Sequence, residues 1–266
     1  ESWIPIYMTG QISPYYLKEV KNSVYNHLNY VSGGAALTGE CIKESHDKGK
    51  YYLTSNNKEL VYYKEKASLL LKKANPLMEI YREDNKSAFK AFLINDSEII
   101  LDRKRIFSSL PLFTISDELL IKILNDNNIS QDDINTIIEY KKEEKEYMTS
   151  ILTNCTITDV IYKPTMEEFL DDSIALSTEN IFYDKKIKYT YEDFIKHFEL
   201  TIQYSNINKN YKVITNSYKT FKNINITMVE KHHVILSKSA NPIIHFVIKH
   251  PKLVDAIVNF NPLVIE

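Results

Sequence analysis

All five glycines of this chain lie within its first 49 residues, at positions 10, 33, 34, 39 and 49, and none occurs from Lys50 to Glu266. Glycine lets the backbone adopt positive φ and approach an anion closely, which phosphate-cradling loops require. A P-loop or a dinucleotide fingerprint is therefore excluded after residue 49, and the early glycines match neither spacing. Nucleotide-dependent chemistry on the common folds is disfavoured, and no cofactor is expected.

At 266 residues, 44% hydrophobic and 26% charged, the chain has the balance of an ordinary globular protein of one large domain or two modest ones. No apolar run approaches the roughly 18–20 residues that span a bilayer, and no basic-then-apolar leader opens the sequence. Cys41 and Cys155 stand far apart, without metal-ligand spacing. That usage fits a reducing compartment, so a cytoplasmic protein without membrane partners is expected. Because the chain starts at Glu1 rather than Met, it is expected to be a fragment of something longer.

Charge divides the sequence more clearly than hydrophobicity does. Residues 1–109 are net +3, residues 110–184 net −11 and residues 185–266 net +6. The acidic middle reads as a solvated face, or as a surface that docks on a basic flank.

The pattern predicts an α+β fold, with α/β as the alternative. Residues 1–155 read as a mixed region ending in an acidic helical segment, 156–184 as a connection, and 185–266 as a compact unit of order α-β-β-β-β-α. Within the first part, the stretch from Trp3 to Thr54 mixes turns with short elements. Tyr63, Ala67, Leu70, Leu71, Ala74, Leu77, Met78 and Tyr81 recur on one helical face, with a kink, or two helices joined, expected at Pro76. Ala91–Ile94 and Glu98–Leu101 read as a hairpin. Ser116 and Ser130 cap two helices, the second running to about Leu152 with an all-charged centre, Lys141 to Glu146, that crosses solvent. In the last part Thr190 caps a helix, and strands follow at 211–215, 224–228, 233–237 and 243–248. Pro251 then starts a helix whose core face is Leu253, Val254, Ile257 and Phe260.

Common catalytic signatures are missing: there is no His-Glu-x-x-His, Cys-x-x-Cys or Gly-x-Ser-x-Gly. His232 and His233 should point to opposite faces at a strand start, which keeps them from sharing a metal. Most histidines read as one core side chain bonded to backbone, with the rest on the surface. The sharper possibility joins His233 or His245 with Ser237 and Lys238 at a polar pocket, since Ser237 to Pro242 is a polar loop between two very apolar strands. These four residues are the candidate ligand-binding set; no catalytic or metal-ligating residue is assigned. The Ser116–Leu152 helix pair has a helix-turn-helix shape, but residues 131–147 carry six acids against three lysines. Phosphates would repel such a recognition helix.

Two stretches, Tyr63 to Met78 (YKEKASLLLKKANPLM) and Val234 to Leu253 (VILSKSANPIIHFVIKHPKL), resemble the region that follows the DNA-binding headpiece in helix-turn-helix regulators of low-GC Gram-positive bacteria. The resemblance implies a non-catalytic sensing or dimerising region of a transcriptional regulator. It implies a homodimer, a small-molecule or peptide effector, and DNA contact only through a further domain of about 60–100 residues before Glu1. The competing expectations are a small hydrolase or transferase of unfamiliar type, and a protein-interaction module.

Overall fold

The computed structural model describes residues 7, 9, 11–18, 24–31, 34–42, 45–172, 174–177, 186–216, 223–238 and 243–259. The chain divides into two compact units, Ser13–Leu77 and Glu1–Ile12 with Met78–Glu266.

In the smaller unit, β1 (Tyr15–Tyr16) precedes an antiparallel meander of β2 (Val24–Val31), β3 (Ala35–Ile42) and β4 (Ser45–Thr54). The opening stretch is thus built from long strands rather than short elements. Cross-strand pairing also explains the glycine at position 39. A Cβ on Gly39 would run into the ring of Tyr51, its partner on β4, so the aromatic side chain lies across the bare backbone. Helix α1 (Asn57–Lys73), capped by the Asn56 side chain, packs against β2 and β3. No kinked continuation follows. The helix ends at Ala74, which is extended, and β5 (Asn75–Pro76) pairs with β1. Proline biases the residue before it away from helical backbone and lacks an N–H, so a short two-stranded edge suits it.

The larger unit is built on one mixed seven-stranded sheet. In chain order it comprises β6 (Glu79–Tyr81), α2 (Lys86–Ser97), β7 (Arg103–Phe107), α3 (Asp117–Asp126), α4 (Gln131–Asn154) and β8 (Ile157–Tyr162). There follow α5 (Met166–Asp171), α6 (Tyr191–Ile207), β9 (Tyr211–Asn216), β10 (Ile224–Val229), β11 (His233–Lys238), β12 (Ile244–Ile248) and α7 (Pro251–Val258). The strand order is β6-β12-β11-β10-β7-β8-β9, parallel over β7-β8-β9 and antiparallel elsewhere. The class is α+β. Helices α3 and α4 carry the chain from β7 to β8, and α5 and α6 carry it from β8 to β9. Leu120, Ile123, Leu124, Ile137, Phe194 and Phe198 from these helices pack with Ile161 of β8 in the main core. Each such side chain contributes about 1.5–3 kcal/mol by leaving water.

The caps at Ser116, Ser130 and Thr190 form as expected, each hydroxyl accepting from a backbone N–H three residues on. The element order after 185 is also α-β-β-β-β-α, and β10-β11 and β11-β12 are hairpins. Other expectations need correction. Ala91–Ile94 belongs to α2 instead of a hairpin, because Phe89, Phe92 and Asp96 recur at helical spacing toward the sheet. A short apolar run fits either element, and packing decides. The region 156–184 is no plain connection, since β8 lies inside the sheet. Nor does 185–266 stand alone: β7 and β8 separate β9 from β10. Parallel pairing needs a crossover, so these neighbours are far apart in sequence.

The middle of α4 does not simply cross solvent. Lys141 is buried and donates to Asp117 of α3. Turns without glycine are made by Asn128, Asn223 and Lys231, whose φ values are 53°, 59° and 51°. Asparagine tolerates this region; lysine there carries strain. The expected core position Phe260 and the loop residues 239–242 lie outside the described residues.

Candidate functional site

Ser237 and His245 are cross-strand partners on β11 and β12, and Ser237 Oγ lies 2.9 Å from His245 Nδ1. Phe89 of α2 stacks flat on the imidazole, with ring centroids 3.8 Å apart and planes 9° from parallel. Burial lowers the pKa of His245 to about 4, and the nearby Lys86 charge adds to the effect. The ring is therefore neutral at ordinary pH.

His233 sits four residues earlier on the same face of β11, roughly 13 Å from Ser237 along the strand. It serves a different cluster. Its Nε2 lies 3.1 Å from Asp96 Oδ1, close but off the line of a well-formed hydrogen bond. Asp96 Oδ2 accepts from Tyr147 at 2.9 Å and from Arg103 Nη2 at 3.4 Å. Arg103 also donates to the carbonyls of Asp96, Ile99 and Leu101, which closes the end of α2. Burial alone would raise the Asp96 pKa. The close approach of the His233 ring, with the Arg103 charge and the Tyr147 hydroxyl, outweighs it and holds the carboxyl below its ordinary value.

The two adjacent histidines do not diverge. His232 lies in the turn, not the strand, and its Nδ1 is 2.7 Å from Nδ1 of His233. One ring must donate and the other accept. Exposed His232, buried His233 and buried Asp96 thus lie in a row from the surface inward. Lys238, next to Ser237, projects to the opposite face of β11 by strand alternation. Of the four candidate residues, then, Ser237 and His245 meet, His233 belongs to a neighbouring cluster, and Lys238 faces away.

A second polar cluster lies in the core beneath α4. Arg105 of β7 grips Asp159 of β8 with Nε to Oδ1 and Nη2 to Oδ2, both at 2.7 Å, and Tyr211 donates to Oδ2 at 2.5 Å. Asp159 keeps the Arg105 guanidinium charged despite burial. Glu144 as a residue is half-buried, but its Oε2 is sealed from solvent without a hydrogen-bond partner. Burial is the main cause that raises its pKa to about 7, against the pull of Arg105. A carboxyl raised in the folded state stabilises fully below its unfolded pKa of 4.5, and that contribution is lost as pH rises through 7. Glu144→Gln is accordingly expected to raise stability by about 2–3 kcal/mol at pH 8 and by almost nothing at pH 4.5. Urea unfolding at the two pH values checks this; an equal effect at both would refute the burial argument.

The core histidine bonded to backbone is His197. It lies 3.2 Å from the Pro111 carbonyl and 2.7 Å from the Tyr189 hydroxyl, and burial lowers its pKa to about 3. No group of three His, Cys, Asp or Glu side chains able to hold a metal ion occurs among the described residues. Nor, among them, is any helix long and apolar enough to cross a membrane.

Comparison with family models, curated proteins and solved structures finds no match to this chain. The site must be read from its own chemistry. Asp96, Tyr147, Arg105, Asp159 and Glu144 were not among the sequence candidates. One signal does point to two members. The chain has 30 lysines and only three arginines, two of them at Arg103 and Arg105. In so lysine-rich a sequence, an i, i+2 arginine pair marks one strand face that needs a forked, permanently charged donor.

Proposed function

We propose that this chain is the non-catalytic sensing and dimerising region of a cytoplasmic transcriptional regulator, reaching DNA through a separate helix-turn-helix headpiece. The regulator part leans on the resemblance of Tyr63–Met78 and Val234–Leu253. The observation that carries the non-catalytic part is the setting of the Ser237–His245 pair. A serine nucleophile needs a base whose pKa lies near working pH, oriented by a third group and open to substrate. His245 has its pKa near 4 and lies under Phe89.

The helix pair α3–α4 does not supply the DNA contact in this reading. Its second helix exposes Asp132, Glu139 and Glu146, which phosphates repel. An effector, a small molecule or peptide, is proposed at the end of the β11–β12 hairpin, where Ser237 and Lys238 are half-buried.

The test is selection of DNA by the whole gene product from fragmented genomic DNA. Enrichment of a few fragments bearing inverted repeats is expected, since a two-fold dimer reads two-fold sites. A folded protein that enriches nothing overturns the regulator reading. The hydrolase alternative has the 2.9 Å Ser237–His245 contact in its favour. It is checked by a fluorophosphonate probe, and covalent labelling of Ser237 would replace the non-catalytic reading.

A further inference from the structure

Helix α1 has an inner face and an outer face, and both carry apolar side chains. The inner one, with Leu60 buried and Tyr63 and Ala67 partly so, is the side toward β2 and β3. The outer one holds Tyr62, Glu65, Lys66, Leu69, Leu70 and Lys73 around a shallow open groove of about 240 Å³. These positions are i, i+3, i+4, i+7, i+8 and i+11, the stripe one helix offers to another. Tyr62, Leu69 and Leu70 on it are 59%, 58% and 41% exposed. The groove is smaller than the roughly 300–1,000 Å³ of small-molecule sites, so it suits interdigitating side chains better than an enclosed ligand.

Charge on the stripe selects the occupant. Glu65, Leu69 and Lys73 stand four residues apart along one ridge, acid and base on either side of an apolar centre. Turn a second copy of the helix antiparallel about an axis through Leu69, and Glu65 of each copy faces Lys73 of the other. The two leucines then meet at the centre, and the helix dipoles oppose favourably. A parallel arrangement in register would set Glu65 against Glu65 and Lys73 against Lys73. We infer that the outer face of α1 is a two-fold interface with a second copy of this chain, built on an antiparallel α1 pair centred at Leu69. This rests on the dimerising part of the reading above and gives it a surface.

The experiment is sedimentation equilibrium of the whole chain, with circular dichroism as the check on folding. Because Leu69 is mostly exposed, Leu69→Asp should leave the spectrum unchanged while placing two carboxylates together on the axis. Like charges so apposed cost several kcal/mol, so association should weaken on the order of a hundredfold or more. Glu65→Lys alone should weaken it about tenfold, and adding Lys73→Glu should restore it, because the reversed pairs match again. Leu69→Cys should cross-link to itself under mild oxidation. A wild-type chain that is monomeric at tens of micromolar overturns the inference, as does a dimer indifferent to Leu69→Asp or a double reversal that fails to rescue. DNA selection by the whole protein is scored separately. A dimer that ignores Leu69→Asp while the protein still selects DNA would remove this face and keep the regulator reading.

Discussion

Asp159→Ala is expected to lower folding stability by about 3–5 kcal/mol, the cost of leaving one member of a buried ion pair without its partner. Asp159 is fully buried on β8, and Arg105 is only 6% exposed, so water cannot replace the lost carboxylate. The guanidinium would keep its contact with Met148 Sδ and lie over the rings of Phe107 and Phe113, none of which neutralises a charge, and the nearby Glu144 carboxyl makes no hydrogen bond to it. Tyr211, which donates to the same carboxylate, would lose its acceptor as well. Replacing both ionic partners with apolar residues, as in Arg105→Met with Asp159→Leu, should recover most of the loss, because the desolvation cost then disappears for both. Urea midpoints with an unchanged slope would measure the two effects. A single substitution costing under about 1 kcal/mol would mean that the pair is solvated and of surface strength.

Acid should destabilise this protein through two histidines that the fold keeps neutral. His197 and His245 have pKa values lowered by burial from 6.5 to about 3 and about 4. Below pH 6.5 the unfolded chain takes up protons that the folded chain refuses. Their contribution is therefore complete above pH 6.5 and falls as pH drops through the folded values. By pH 4.5 the two sites together account for roughly 5 kcal/mol lost. Glu144 works in the opposite direction, since its folded form gains stability as pH falls from about 7 toward 4.5. The wild-type curve should accordingly be flattened between pH 7 and 4.5, and the Glu144→Gln variant should fall more steeply by about 3 kcal/mol over that range. Thermal or urea unfolding across the range provides the comparison. Parallel curves for the two proteins would refute the opposition of Glu144 and the histidines.

The chain's local signals were legible where they are self-contained. Ser116, Ser130 and Thr190 announce helices because a hydroxyl meets a backbone N–H three residues on, whatever surrounds it. The hairpins β10-β11 and β11-β12 join adjacent segments, so alternation and a short turn suffice. The Ser237–His245 contact was within reach for the same reason, being a pair across one hairpin. The Asp96 cluster was not. It draws on α2, β7, α4 and β11, and in sequence Asp96 falls at the turn of a segment that reads equally as a hairpin.

The sequence by itself determined the helix starts, the α-β-β-β-β-α order after residue 185, and the exclusion of glycine-dependent phosphate loops after residue 49. Tertiary structure decided that β7 and β8 separate β9 from β10, because parallel neighbours are joined by crossovers whose ends share no local pattern. It also decided which charges are interior. In sequence Asp159 interrupts an apolar alternation and looks like a surface residue, and the opposed guanidinium of Arg105, 54 positions away, with the Tyr211 hydroxyl, makes its burial tolerable.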